Sequence, residues 1–310
     1  MVLRIAVPDL VSPSYFPAIA AVELGLLREQ GFDATLELVF PVTRAYEALR
    51  AGRLDFVAGA AHAPLYAFPD WAGARLLCAL AQHMYWFLVL RADLGAQRGD
   101  LGAVRGRRIG AAPGPVDGLR RMLRAIDIDP DREVTIGPVP AAAVAGASFG
   151  VAAAKALEAG EIDGFWANGM GAEVAVKQGI GTLVIDARRG DGPPGAQHYT
   201  FPALVAAEPM IQREPGAAAA AVRAIVAAQR ALAAAPERAT AVGRALFPPA
   251  EASLIAELVR RDVPYYDAAI GADTVAALNR FAQDLGLLSQ PVPYDRVVAT
   301  SVRALWAKAE

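Results

Sequence analysis

Apolar and polar positions fall into short blocks along this chain. Val2-Leu3-Arg4-Ile5-Ala6-Val7 is an apolar run stopped by Pro8 and Asp9, which reads as a buried strand. A helix is expected from about Ser14 to Gln30. Ile19, Val22 and Leu26 give it an apolar face, Ser14 suits its start and Gly31 its end. Asp33 to Phe40 alternates, with Ala34, Leu36 and Leu38 on one side. Thr43 opens a helix to Gly52, and Asp55 to Gly59 is a further strand. Strand, helix, strand, helix, strand is the pattern of a parallel sheet covered by helices.

The rhythm then repeats. Strands are expected around Cys78 and over Met84–Leu90, followed by a polar loop from Arg98 to Arg105. A second series predicts strands at Arg108–Ala112, Glu133–Val139, Ile162–Trp166 and Thr182–Asp186. Helices over Val116–Ala125, Gly150–Ala159 and Gly171–Gln178 separate them. Arg188 to Gln197 reads as a loop or hinge, and Tyr199 to Ala206 as a returning strand. From Pro209 the chain reads as helix after helix, over Ala217–Ala235, Pro236–Ala245, Ala250–Arg261, Ala272–Leu285 and finally Ala299–Lys308. Alanine-rich segments have high intrinsic helix propensity.

One stretch stands out, Arg107 to Leu119. It reads as a strand, a Gly/Pro turn and the first turn of a helix. Gly110 and Gly114 allow a tight backbone, and Pro115 suits the first helical position. Such a turn is expected to point free backbone N–H groups towards an anion or polar ligand group.

Composition narrows the class. A length of 310 residues suits two domains. The 55% hydrophobic share, with 20% charged residues, marks a globular chain whose apolar excess is largely alanine. No run reads as the roughly 20 apolar residues that span a bilayer, since Arg, Glu or Asp recur. A formal net charge of −2 gives no support to a nucleic-acid partner. Cys78 is the single cysteine, which excludes an intrachain disulfide and reads as a small buried hydrophobe. The first strand begins at Val2, so a secretory leader is expected to be absent or already removed.

Several segments together resemble a known family. Ser14-Tyr15-Phe16-Pro17-Ala18-Ile19, Val22-Glu23-Leu24-Gly25-Leu26-Leu27 and Gly31-Phe32-Asp33 resemble the opening of ABC-transporter substrate-binding proteins of the nitrate/sulfonate/taurine type. That superfamily includes binders of thiamine-pyrimidine precursors. Ala48-Leu49-Arg50-Ala51-Gly52-Arg53-Leu54-Asp55-Phe56 and Ala156-Leu157-Glu158-Ala159-Gly160-Glu161-Ile162-Asp163-Gly164 resemble its Ala-Leu-x-x-Gly-x-x-Asp segments. Leu101 to Gly110 resembles the start of its second domain. The similarity runs over essentially the whole chain. It implies an α/β, two-lobed type II periplasmic binding fold with a helical C-terminal region. Residues 1–88 plus 200–310 would form lobe I and 89–199 lobe II, with a ligand cleft between them and hinge closure around the ligand. Crossings would fall near Trp86–Arg91 and His198–Pro202. The implied partners are a small-molecule ligand and ABC-transporter permease subunits, for a monomer without cofactor. The implied compartment is periplasmic, with cytoplasmic as the alternative if no leader exists.

In parallel α/β sheets, ligands bind beyond the carboxyl ends of the strands. The candidates there in the first lobe are Ser14, Tyr15, Thr43, Arg44 and His62. His83 and Trp86 stand near the first crossing, and His198 and Tyr199 at the return. The second lobe offers Gly114, Pro115, Val116, Asp117, Phe149, Trp166 and Asn168. All 3 histidines of the chain are in this set. Their spacing matches no helical metal motif, so they read as hydrogen-bonding groups or as ordinary loop residues. Trp166 reads either as a cap on the core or as an aromatic wall supported by Tyr15, Trp86, Phe149 and Tyr199. On the wall reading, Trp166→Ala weakens binding without unfolding the lobe. Arg44 could meet a ligand carboxylate or point to solvent, and Asp117 could simply complement the helix dipole.

Enzymes of this fold are the alternative class. Desulfinases that the chain would then resemble carry a nucleophilic cysteine in the loop after the first strand. Here Asp9 to Ser14 holds none, and no catalytic motif is present. The expected function is capture of a small organic solute for an ABC importer, with no catalytic and no metal-binding residues. Gly114-Pro115-Val116-Asp117 stands where sulfonate binders have a Gly-Ser-Ser-type turn, so an aromatic or heterocyclic carboxylate, or a neutral pyrimidine-like compound, is expected in place of a sulfonate. The alternatives are a desulfinase- or decarboxylase-like enzyme and a soluble ligand sensor.

Overall fold

The computed structural model describes residues 1–139, 142 and 148–307. Its strands are β1 (Val2–Val7), β2 (Asp33–Leu38), β3 (Phe56–Ala60), β4 (Ala74–Ala79), β5 (Phe87–Arg91), β6 (Arg108–Ala111), β7 (Thr135–Gly137), β8 (Gly164–Ala167), β9 (Gly181–Asp186) and β10 (Pro202–Ala207). The helices are α1 (Phe16–Glu23), α2 (Leu26–Glu29), α3 (Val42–Arg50), α4 (Val116–Arg124), α5 (Phe149–Glu158), α6 (Gly169–Lys177), α7 (Glu208–Arg213), α8 (Pro215–Ala234), α9 (Arg238–Leu246), α10 (Pro249–Asp262), α11 (Ala272–Asp284) and α12 (Tyr294–Val297). Short 3₁₀ turns join several of them.

Contacts divide the chain into two units. The first holds Met1–Leu10, Ser14–Gln82 and Thr200 onward; the second holds Val11–Pro13 and His83–Tyr199. The first division therefore falls at Gln82/His83, earlier than the expected 88/89, because Met84, Tyr85 and Trp86 already pack inside the second unit.

In the first unit the sheet order is β2-β1-β3-β10-β4. β1 pairs in parallel with β2 and β3, whereas β10 runs antiparallel to β3 and β4. In the second unit the order is β7-β6-β8-β5-β9, and β5 runs antiparallel to β8 and β9. Both sheets are mixed: the strands of each β-α-β series pair in parallel as expected, and β5 and β10 add the antiparallel pairs. The two reversed strands are the first ones laid down after the chain passes from one unit to the other, so each enters its sheet from the opposite end.

A matching clamp closes the amino-terminal edge of each sheet. Arg4 donates its main-chain N–H and Nε to Asp55 Oδ2 at 2.8 and 3.1 Å, and Nη2 to Gly52 O at 3.1 Å. Arg108 donates its main-chain N–H and Nε to Asp163 Oδ2 at 2.9 and 3.1 Å, and Nη2 to Gly160 O at 2.9 Å. The aspartates and glycines are those of the two Ala-Leu-x-x-Gly-x-x-Asp segments.

Local departures have local causes. The helix expected from Ser14 to Gln30 breaks in two at Gly25, whose φ of +74° lies in the left-handed region glycine favours. The last expected helix is a 3₁₀ turn over Thr300–Trp306, and Lys308 lies outside the described residues. α8 is long and apolar enough to cross a membrane, contrary to the sequence reading. It is a core helix here: Ala217, Ala221, Ile225 and Leu232 are buried, and it packs on α1 and the Thr300–Trp306 turn. In the second unit α5 and α6 meet closely. A Cβ on Gly171 would lie 2.4 Å from Gly150 O, so small residues permit the contact.

Candidate functional site

In the first unit, β1, β2, β3 and β4 end on the edge where β10 begins. His62 follows β3 and is fully buried. Its Nδ1 shares a hydrogen bond with Thr200 Oγ1 at 3.0 Å, and its ring stands edge-on to Phe281 at 5.2 Å. Thr200 leads into β10, so this contact fastens the end of β3 to the start of β10. Ser14 and Tyr15 are buried at the start of α1, and Thr43 and Arg44 lie in the first turn of α3 with Arg44 exposed. Tyr46, on the buried face of α3, donates its hydroxyl to Ala60 O at 3.3 Å. Gly59 makes room for it, since a Cβ there would come within 2.8 Å of the Tyr46 hydroxyl. Complete burial raises the Tyr46 pKa well above its ordinary value, so this hydroxyl stays protonated. Among the described residues neither α1 nor α3 receives a side-chain cap, and their positive dipole ends lie on this edge.

In the second unit, β6, β7, β8 and β9 end on the edge where β5 begins. The first amides of α4 are not free. Val116, Asp117 and Gly118 donate their N–H groups to Ala112, Gly114 and Pro115 carbonyls at 3.0, 3.1 and 3.2 Å. That overturns the expected N–H cradle: Gly114, at φ +91°, curls the chain so tightly that the turn satisfies itself. Trp166 donates Nε1–H to Pro115 O at 2.8 Å and is fully buried. Trp86 is 2% exposed and lies 6.2 Å from Trp166 between ring centroids. α4 presses on this pair: a Cβ on Gly118 would come within 2.7 Å of Met84 Sδ and 3.4 Å of the Trp86 ring. The two indoles thus carry the start of α4, and the core reading fits Trp166 better than the exposed wall.

Asn168 caps α6, its Oδ1 accepting from Met170 and Gly171 N–H at 3.0 and 3.3 Å. That amide oxygen is therefore committed to the helix. Phe149 opens α5 after Ser148, and α5 has no side-chain cap among the described residues.

A third group gathers where the second unit begins and ends. The rings of His83 and His198 meet edge-on with centroids 4.9 Å apart. His83 adopts φ +68°, and its Nδ1 lies 3.1 Å from Arg188 O, to which it donates. Met84 N–H donates to Gln197 O at 2.7 Å and ties the two segments together. Burial, reinforced by His83, holds the His198 pKa below its ordinary value. Tyr199 lies beside it with the Arg121 guanidinium 5.5 Å from its ring centre. The 3 histidines thus fall into two sets, His62 in one unit and His83 with His198 in the other. No group of three or more His, Cys, Asp or Glu side chains is placed to hold a metal ion among the described residues.

The sequence reading passed over two buried charges on this edge. Asp186, at the end of β9, is 7% exposed and Arg188 is 3% exposed. Burial raises the Asp186 pKa, with Arg188 and Arg189 opposing it. Asp186 Oδ2 meets Arg189 Nε at 3.4 Å, and its Oδ1 accepts no hydrogen bond among the described residues. Asp186 closes the expected strand and Arg188 opens the expected loop or hinge, but neither stood among the candidates; strand register brings this corner beside Trp86, whose carbonyl accepts from Ala187 N–H at 3.2 Å.

Residues 117–246 match the NMT1-like family. The sequence matches no curated protein. Solved structures match over nearly the whole chain. The alkanesulfonate-binding protein SsuA from Xanthomonas axonopodis pv. citri, bound to MOPS, is 17% identical over 97% of both chains with a TM-score of 0.71. The periplasmic nitrate-binding protein NrtA from Synechocystis PCC 6803 is 14% identical over 98% of this chain and 87% of its own, at 0.67. The desulfurization enzyme DszB in complex with biphenyl-2-sulfinic acid is 19% identical over 98% of both chains, at 0.65. The fold is the α/β, two-lobed periplasmic-binding-protein fold. The resemblance to substrate-binding proteins of the nitrate/sulfonate type is borne out by the family match and by these structures.

Proposed function

We propose that this protein is the solute-binding component of an ABC import system and captures a small organic anion, an aromatic or heterocyclic carboxylate. Neighbours of the same fold include binders of alkanesulfonate and nitrate, so an anion is the common class. The observation that carries the reading is the set of helix starts at the carboxyl edges. α1, α3 and α5 begin there without side-chain caps, whereas α6 is closed by Asn168 and the turn before α4 by its own carbonyls. Arg44 on α3 adds a cation, and the half-buried Tyr199 adds aromatic surface. The protein works as a monomer in the periplasm and hands its ligand to permease subunits.

An enzyme like DszB shares the fold, but the loop after β1 has no cysteine and Cys78 is fully buried in β4. A thermal-shift series decides between the readings. Benzoate, phthalate and nicotinate should raise the melting temperature, by about 2.7 kcal/mol of stabilisation at 100 times the dissociation constant. A response confined to nitrate and alkylsulfonates overturns the ligand class. A product formed from 2-phenylbenzenesulfinate or from an aromatic carboxylate overturns the non-catalytic reading.

A further inference from the structure

A second cavity lies in the C-terminal helical part of the first unit, away from every residue assigned above. Its volume is about 460 Å³, inside the range of small-molecule sites. The apolar wall is the Val226–Ala234 face of α8, and the opposite wall is the segment Val263–Ala268 with Trp306.

Four of the polar side chains around it are held by hydrogen bonds. Gln229 is buried and donates Nε2 to Ala79 O and Leu80 O at 3.1 and 2.9 Å. Trp306 donates Nε1–H to Leu77 O at 2.8 Å, which fixes its ring. Arg230 donates Nη2 to Ala307 O at 3.0 Å, and Asp267 Oδ1 accepts from Ala269 N–H at 2.9 Å. A wall set by its own hydrogen bonds loses little entropy when something binds. Arg230 and Asp267 are exposed and give the mouth one charge of each sign. No net charge is selected, and a donor and an acceptor are both on offer.

The wall segment also governs the connection to the second unit. Gln82 is the last residue of the first unit before the chain crosses. Its N–H donates to Tyr265 O at 2.8 Å, and its Nε2 donates to Asp267 O and Ala269 O, both at 2.9 Å. The cavity wall and the grip on Gln82 thus share one stretch of backbone, at Asp267.

We propose that this cavity is a second small-molecule site, for a neutral, planar compound bearing a hydrogen-bond donor and acceptor on one edge, and that its occupant acts on the loop holding Gln82. The probe is 5-fluorooxindole, followed by fluorine NMR on the full chain. Saturable binding is expected, with contacts from the probe to the Trp306 indole and a shift of the Gln82 side-chain amide. Ala234→Trp, at an exposed position of the mouth, should weaken binding by about ten-fold or more while leaving the thermal transition in place. Absence of saturable binding to the wild type overturns the site. Unchanged binding in a folded Ala234→Trp protein also overturns it. Binding that leaves the Gln82 amide unmoved overturns the action on the connection.

Discussion

Arg108 grips Asp163 through its main-chain N–H, Nε and Nη2, and the same grip recurs between Arg4 and Asp55 in the other unit. The aspartate precedes β8 in one case and β3 in the other, and the arginine lies on the neighbouring strand. Two Ala-Leu-x-x-Gly-x-x-Asp segments thus end in one structural device, used once per sheet. The aspartates are joints of the fold, on the edge opposite the carboxyl ends of the parallel strands.

That geometry sets a pH dependence. Hydrogen bonds from Arg108 hold the Asp163 carboxyl below its ordinary value. A depressed folded pKa stabilises the protein above the unfolded value of about 3.9, and the benefit is lost as pH falls through the folded value. Asp163→Asn should therefore lower the urea midpoint at neutral pH, with the gap to wild type closing as pH drops below about 4. A gap that stays constant down to pH 2 contradicts the assignment.

Trp166 makes a second test. The Trp166→Ala expectation of weaker binding with an intact lobe does not survive the complete burial of this side chain. Removing a large aromatic from a core costs about 3–5 kcal/mol. Trp166→Ala should show a large fall in chemical stability, and Trp166→Phe a loss of about 1 kcal/mol from the missing bond to Pro115. Equal stability of both variants and wild type, with binding lost, would return Trp166 to the ligand wall.

Much of the fold was legible because apolar periodicity reports which side of an element is buried. β1, α3, β6, α4, β9, α8 and α10 lie within a few residues of their expected places. The reversals of β5 and β10 were not legible, since strand direction depends on which sheet a strand joins and not on its own pattern. The site was harder still. The Gly114–Asp117 turn has the composition of an anion cradle, yet its N–H groups are consumed by local carbonyls that no sequence pattern reveals. Asn168 reads as a ligand contact and is a helix cap. Asp186 and Arg188 sit where the expected strand gives way to the expected loop, and nothing in that pattern shows that both charges are buried.

His62 offers a test in the first unit. Its bond to Thr200 is buried, so Thr200→Val leaves a ring nitrogen without that partner. Stranding a buried polar group costs about 1–3 kcal/mol. The variant should lose that much in a urea titration at neutral pH, whereas Thr200→Ser should lose less because the hydroxyl is kept. A loss in Thr200→Ser with none in Thr200→Val would show that the methyl group, and not the bond, matters.

Cys78 separates the binding reading from the enzyme reading. It lies in β4 with no exposed surface, and burial pushes its thiol pKa far above the ordinary value. A thiolate nucleophile needs the opposite, a lowered pKa and solvent access. The native protein should therefore react with a thiol reagent at pH 8 only as fast as it opens, and fully in denaturant. Cys78→Ala should keep any thermal shift that benzoate or phthalate produces, at a stability cost of about 1 kcal/mol. Rapid modification of the native thiol, together with loss of the ligand response in Cys78→Ala, would make this cysteine part of a reactive site and overturn the assignment of a structural role.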